Sequence, residues 1–87
     1  MAMGEKPEVF VHVRCVNGDE FVGVSRVSGG GWWALSDVWR VEASADDSYQ
    51  ARSRYSVLSL NERNIVFTRN VTLVWNDTHT AVQLVPA

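Results

Sequence analysis

Residues 9–27 read VFVHVRCVNGDEFVGVSRV, and this stretch decides the fold. Every second residue over 9–15 is apolar, which is the period of a strand with one buried face. Asn17-Gly18 follows, and both residues tolerate the positive φ angles that a tight hairpin turn requires. The sequence therefore predicts a hairpin of two strands, over about 9–16 and 20–28.

The hairpin has two possible registers, which differ in the face on which Phe21 lies. A two-residue turn pairs Val13 with Val22. A three-residue turn pairs Cys15 with Phe21 and Val13 with Gly23. We expect the second register because it places Phe21 on the valine face, and a slip of one residue would reverse that face. Phe21 then fills the interior, and Gly23 marks a bend where a side chain would crowd the opposing sheet.

A glycine-rich turn and a third strand come next in the chain. Ser28-Gly29-Gly30-Gly31 is typical of a flexible turn. Residues 32–42 have an imperfect alternation of apolar and polar side chains, which a bulge or sharp bend near Ser36-Asp37 would explain.

The second half of the chain begins with its most polar segment, residues 43–54. This segment favours either a solvated loop or one helical turn that Ser44 and Asp47 would cap. Strands are then expected over about 55–60 and 80–85, and the apolar run 65–75 predicts one bent strand or two short ones. A tight polar turn is expected at Asn61–Asn64.

Short strands with turn residues between them predict an all-β fold. We expect a small antiparallel barrel of five to seven strongly bent strands, with at most a short helical turn. The chain has 87 residues, which suffices for one domain. We expect that domain over 9–87, after a loose lead-in over 1–8. Cys15 is the only cysteine, so it cannot form an intrachain disulfide and is expected to pack as a small apolar residue.

Composition and motifs argue against several classes of function. The formal net charge of −2 gives no field that would attract nucleic acid or an anionic membrane. No apolar run reaches transmembrane length and no secretory pattern is present, so a cytoplasmic location is expected. His12 and His79 belong to no metal-spacing motif. We expect both at the surface, His12 on the outer side of the first strand and His79 in a turn. The sequence predicts no catalytic residue, metal or cofactor, and hence no enzyme.

The tryptophans indicate a surface for assembly. A small domain without disulfides or metals needs another source of stability, so the apolar content favours a homo-oligomer. Four tryptophans cannot all fit inside so small a barrel. We expect Trp33 and Trp75 in the core, and Trp32 and Trp39 outside near Arg40. The outer pair would form a subunit interface, a ligand or peptide groove, or a stacking platform for bases with Arg40 or Arg69.

Several motifs resemble the Sm-like family of small five-stranded barrels. Gly18-x-x-Phe21-x-Gly23 after an apolar strand is similar to the first Sm motif, and the spacing also suits SH3-like barrels. Leu35-x-Asp37-Val38 is similar to the end of that motif. Residues 65–71, IVFTRNV, resemble a shortened second motif.

The Sm-like resemblance implies a barrel whose edge strands pair with neighbouring copies to form a ring. In the family, single-stranded RNA binds to an Asp and an Asn after the second strand and to the Arg-Gly of the second motif. Here residues 28–33 contain no Asp or Asn, and only Arg69 and Asn70 of the second motif are present, without the glycine.

Two functions of different classes follow from these observations. The first is a non-catalytic homo-oligomeric module that binds a protein or small ligand and assembles through strand edges or an aromatic surface. The alternative is an Sm-like protein that binds single-stranded RNA. The binding residues expected from the sequence are Trp32, Trp39, Arg40, Arg69 and Asn70.

Overall fold

The computed structural model describes residues 9–26, 29–45 and 48–87. These residues form six strands and one short 3-10 turn, at Glu62–Asn64. Neighbouring strands are antiparallel and close a barrel in the order β1-β2-β3-β4-β6-β5. This architecture confirms the predicted all-β fold. The lead-in expected over 1–8 lies outside the described residues. The strands are β1 Phe10–Cys15, β2 Glu20–Ser25, β3 Trp32–Ala45, β4 Ser48–Asn61, β5 Ile65–Trp75 and β6 Ala81–Pro86.

The β1–β2 hairpin has neither of the two predicted registers. Val13 pairs with Phe21 and Val11 with Gly23, which is two residues away from the expected pairing. The reason is the position of the turn: it spans residues 16–18 and not 17–19, because the Cys15 amide donates to the Asp19 carbonyl at 2.8 Å. A shift of two residues preserves the face of every side chain. Phe21 is therefore buried on the valine face, as predicted.

The strands β1 and β2 have buried side chains on both faces and lie between two apolar clusters. The first cluster lies on the face of Val13 and the second on the face of Val22. The prediction that His12 lies at the surface is wrong, since its side chain is fully buried. Parity was misleading here because the second face of β1 meets solvent at Arg14, whereas the Tyr49 ring covers it at His12. The first cluster comprises Val11, Val13, Cys15, Phe21, Leu35 and Val38, and the second Val22, Val41, Tyr49, Val71, Val82 and Leu84.

A close approach of β2 to β3 explains Gly23. A Cβ atom at Gly23 would lie 3.0 Å from Val38 Cγ2 and 3.2 Å from the Ser36 carbonyl oxygen. The β2–β3 register shifts at this point, and Asp37 has a φ angle of 50°. The predicted bulge near Ser36-Asp37 is confirmed. A side chain at Gly23 would be crowded as predicted, but by the neighbouring strand β3 and not by an opposing sheet.

The prediction of a loop or helical turn over residues 43–54 is wrong. Ala43 pairs with Tyr49, so β3 and β4 continue through this segment as a long hairpin. Tyr49 is buried in the second cluster, while Gln50, Arg52 and other polar side chains are exposed. The buried Tyr49 ring therefore anchors the start of β4 to the core, although the outer face of this strand is polar. The proposed capping partner, Asp47, lies outside the described residues.

The polar turn and the last two strands agree with the sequence. Asn61 Oδ1 accepts a hydrogen bond from the Arg63 amide at 2.9 Å and caps the turn at Glu62–Asn64. The run 65–75 is a single strand, β5, and the last strand is β6. Across the described ranges, we find no helix with the length and apolarity to span a membrane.

Candidate functional site

The barrel is closed over only part of its height. β6 pairs with Ser48–Gln50 of β4 and with Val71–Trp75 of β5. Within the described part of the chain, residues 52–61 of β4 pair only with β3, and residues 65–69 of β5 pair only with β1, since the Asn70 carbonyl also accepts from the Ala87 amide at 3.1 Å. One side of each segment therefore has no neighbouring strand. We call these two segments together the open edge.

The open edge carries exposed apolar side chains. Val57 is 66% exposed on β4 and Val66 is 57% exposed on β5, with Tyr55 and Phe67 beside them. Residues 55–61, YSVLSLN, contain no charge and no proline. Proteins usually protect an edge strand with charges, proline or shortness, because an unprotected edge pairs with other chains. This segment has none of these protective features and is therefore suited to pairing with a strand of another chain.

The two charged residues of β4 lie at the start of the open edge and are paired with acidic residues of β3. Arg52 forms an ion pair with Glu42 at 3.0 Å, and Arg54 contacts Asp37 at 3.4 Å. Both pairs link β4 to β3, and all four side chains are about half exposed, so each contributes at most about 1 kcal/mol. They leave the apolar part of the open edge without repulsive charge.

A shallow groove of about 320 Å³ borders the β5 segment of the open edge. Trp33 lines the groove and is fixed by a hydrogen bond from its Nε1 to Ser25 Oγ at 2.9 Å. The groove can receive side chains of a strand that pairs with β5. Its lining residues are Trp33, Glu62, Ile65, Val66, Phe67 and Thr68.

Behind the β5 segment lies a buried polar cluster around His12. Arg69 Nε donates to His12 Nδ1 at 3.1 Å, so Nδ1 carries a lone pair. The ring is therefore neutral and protonated at Nε2, which lies 2.7 Å from Glu20 Oε1 and donates to it. Burial lowers the pKa of His12, while the Glu20 carboxylate partly opposes that effect.

Aromatic rings connect this buried cluster to the open edge. The rings of Phe67 and Tyr49 meet the His12 ring edge-on, with centroids 5.9 and 5.3 Å away. The Arg14 guanidinium lies over Phe67 at 5.3 Å and is 3.7 Å from Glu20. Phe67 is thus in contact with His12 while 40% of its own surface is exposed.

The structure places two of the predicted site residues as follows. Trp32 is exposed and pairs with Asn61, at the end of the open edge. Trp39 is half-buried against the second cluster and its ring is 5.1 Å from that of Trp75, so the prediction that it faces outward is wrong. Trp33 and Trp75 pack against the two clusters as predicted.

The other three predicted site residues are dispersed. Arg40 is half-buried and lies 3.7 Å from Glu42. Arg69 and Asn70 are on β5, which pairs with β1 and β6, whereas Trp39 and Arg40 are on β3. The five residues therefore do not form one site across neighbouring strands.

Sequence reasoning missed the His12 cluster and the extent of the open edge. The charge-free run over 55–61 was a visible sign of the latter, but alternation does not reveal which strand edges lack a neighbour. His79 is exposed in a turn, as predicted.

The described residues contain no cluster of three or more His, Cys, Asp or Glu side chains that could hold a metal ion. A comparison of the chain with known family models, curated proteins and solved structures found no match.

Proposed function

We propose that the chain is a non-catalytic binding module that assembles as a homo-oligomer through its open edge. The occupant of the edge is a second copy of the same chain, which adds a strand to the sheet. The observation that supports this proposal is the long, charge-free apolar strand edge at residues 55–61, beside a second unpaired edge on β5.

The length of the open edge determines how much backbone hydrogen bonding can contribute to the free energy of association. Residues 65–69 of β5, with the Asn70 amide, can form about five inter-strand hydrogen bonds, each with a net value of about 1 kcal/mol. A micromolar dissociation constant requires about 8 kcal/mol, and association costs at least about 4 kcal/mol in lost freedom. Backbone pairing alone is therefore insufficient.

Apolar side chains can supply the difference. Val57, Val66 and Phe67 are between 40% and 66% exposed. Full burial of such a side chain is worth about 1.5–3 kcal/mol, so burial of the fraction still exposed is worth about 1 kcal/mol. The three side chains of both copies then contribute about 6 kcal/mol, which brings the sum to within about 1 kcal/mol of micromolar affinity. The proposal therefore assigns these three residues to the interface.

The Sm-like resemblance also supports assembly through strand edges, since it implies a ring of barrels. The free thiol of Cys15 is buried in the first cluster, which fits the cytoplasmic location expected from the sequence. The RNA-binding alternative has less support, because Arg69 donates to His12 in a partly buried cluster and the net charge is negative.

A charge on the open edge tests the proposal. Val57→Lys places an ammonium group where the second copy would pack, so we expect sedimentation velocity to show dissociation to monomers at concentrations where the wild type is oligomeric. Val74→Lys is the matched control, because Val74 is also exposed on a strand but lies outside the open edge, in the part of β5 that pairs with β6.

Two results would contradict the proposal. The first is a wild type that sediments as a monomer at tens of micromolar. The second is equal assembly of the Val57→Lys and Val74→Lys variants. For the RNA alternative, oligo-uridine or oligo-adenine would bind with an affinity that falls steeply with salt and with Arg69→Ala.

A further inference from the structure

The imidazole of His12 is fully buried and uses both nitrogens. Nε2 donates to Glu20 of β2, and Nδ1 accepts from Arg69 of β5. Arg14 of β1 also faces the cluster through Glu20, and the Tyr49 ring of β4 contacts the imidazole. The neutral ring is thus surrounded by two guanidinium groups and one carboxylate.

A proton on Nδ1 is incompatible with this arrangement. It would remove the lone pair that accepts from Arg69 Nε, so that two N–H groups would face each other across the present 3.1 Å. It would also raise the net charge of the four groups His12, Glu20, Arg14 and Arg69 from +1 to +2, with the added charge on a fully buried ring. Protonation therefore forces the Arg69 side chain away from His12.

Arg69 and Phe67 both belong to the open edge. Arg69 pairs with His12 across the β1–β5 ladder, and Phe67 packs against the imidazole ring. Movement of either side chain changes the β5 surface that a second copy would contact. A titratable group is thus directly behind the proposed interface.

We propose that His12 makes the assembly sensitive to pH, because protonation of its ring breaks the contact with Arg69 and disrupts the β5 part of the open edge. The inference rests on the proposed homo-oligomer and adds its regulation. Copies associate when His12 is neutral and separate in mild acid. Burial of the ring places the change below the ordinary pKa of histidine, 6.5.

Sedimentation velocity of the wild type at about pH 8 and about pH 5 tests the inference. An ordinary histidine side chain is neutral at the first pH and protonated at the second. We expect the dissociation constant to rise at least about tenfold in acid. His12→Gln cannot titrate, and we expect its assembly to be equal at both pH values. His79→Gln removes the other histidine and should retain the response of the wild type.

The outcomes separate the two proposals. A wild type that is monomeric at both pH values overturns the proposed assembly, and with it any regulation of that assembly. An oligomer that is equally stable at both values overturns the pH response alone. The Arg69 Nε–H resonance gives a second readout that does not depend on the variants. It should shift as the His12 ring titrates, and a resonance that stays unchanged contradicts the mechanism.

Discussion

Substitution of Gly23 by alanine tests the packing between β2 and β3. The new methyl group would lie 3.0 Å from Val38 Cγ2, 3.2 Å from Leu35 Cβ and 3.2 Å from the Ser36 carbonyl oxygen. Val38 and Leu35 are fully buried, so neither can turn into solvent to make room. The backbone must move, and overpacking of this kind costs about 1–3 kcal/mol.

Part of this cost is offset in the unfolded chain. Alanine has fewer backbone conformations than glycine, which stabilises the folded state by about 0.4–1 kcal/mol. We therefore expect Gly23→Ala to reduce the free energy of unfolding by about 1–2 kcal/mol. In a domain of this size, that loss lowers the melting temperature by roughly 5–15 °C.

Chemical and thermal unfolding of two variants measures the effect. Gly29→Ala is the control, because a Cβ atom there meets nothing within 4 Å and the φ angle of Gly29 is not positive. That variant should be as stable as the wild type or slightly more stable. Val38→Ala removes the Cγ2 atom that the new methyl group would meet. Gly23→Ala and Val38→Ala together should therefore destabilise by about 1 kcal/mol less than the sum of the single changes. A Gly23→Ala variant as stable as the wild type would refute this reasoning.

Three further predictions concern single residues. Phe21→Ala should lower the free energy of unfolding, measured by urea denaturation, by about 3–5 kcal/mol, because Phe21 is only 8% exposed in the first cluster. A variant with the full stability of the wild type would place Phe21 outside the core. Burial lowers the folded-state pKa of His12 below its unfolded value of 6.5, so the unfolded state binds the proton more tightly. The free energy of unfolding should then be constant above about pH 6.5 and fall as the pH drops toward the folded-state pKa; an equal slope in His12→Gln would contradict this. His79 has a φ angle of 55° and stacks on Trp75 at 5.0 Å. His79→Gly should therefore be more stable than His79→Ala by about 1 kcal/mol in thermal melts, and the reverse order would exclude backbone strain at this position.

The parts of the fold that local pattern controls could be predicted from the sequence. Alternation placed Phe21 on the valine face, and the mismatch near Ser36-Asp37 correctly indicated a bulge. The hairpin register could not be predicted, because the position of the turn depends on hydrogen bonds such as that from the Cys15 amide to the Asp19 carbonyl. Residues 43–54 look like a loop because Tyr49 is the only large apolar side chain among them, yet strand pairing keeps the described residues 43–45 and 48–54 extended.

The candidate site was less accessible to sequence reasoning. Arg69 was identified through the Sm-like resemblance, but its contact with His12 joins residues that are 57 positions apart. His12 was assigned to the surface because alternation assumes one solvated face. On β1 that face is solvated at Arg14, but Tyr49 of β4 covers it at His12. Which strand edges remain unpaired depends on where β6 stops, and that is a property of the closed barrel.

The position of β1 and β2 between two clusters has a consequence for how the molecule opens. Val13 and Val22 lie on neighbouring strands but belong to different clusters. Exposure of either cluster to water requires β1 or β2 to separate from its neighbours, and these strands also contact the other cluster. The two clusters therefore cannot unfold independently. Amide protons of this hairpin should therefore exchange with solvent only when the whole domain unfolds. Those of the β4 segment 52–61, held on one side alone, can exchange through local opening.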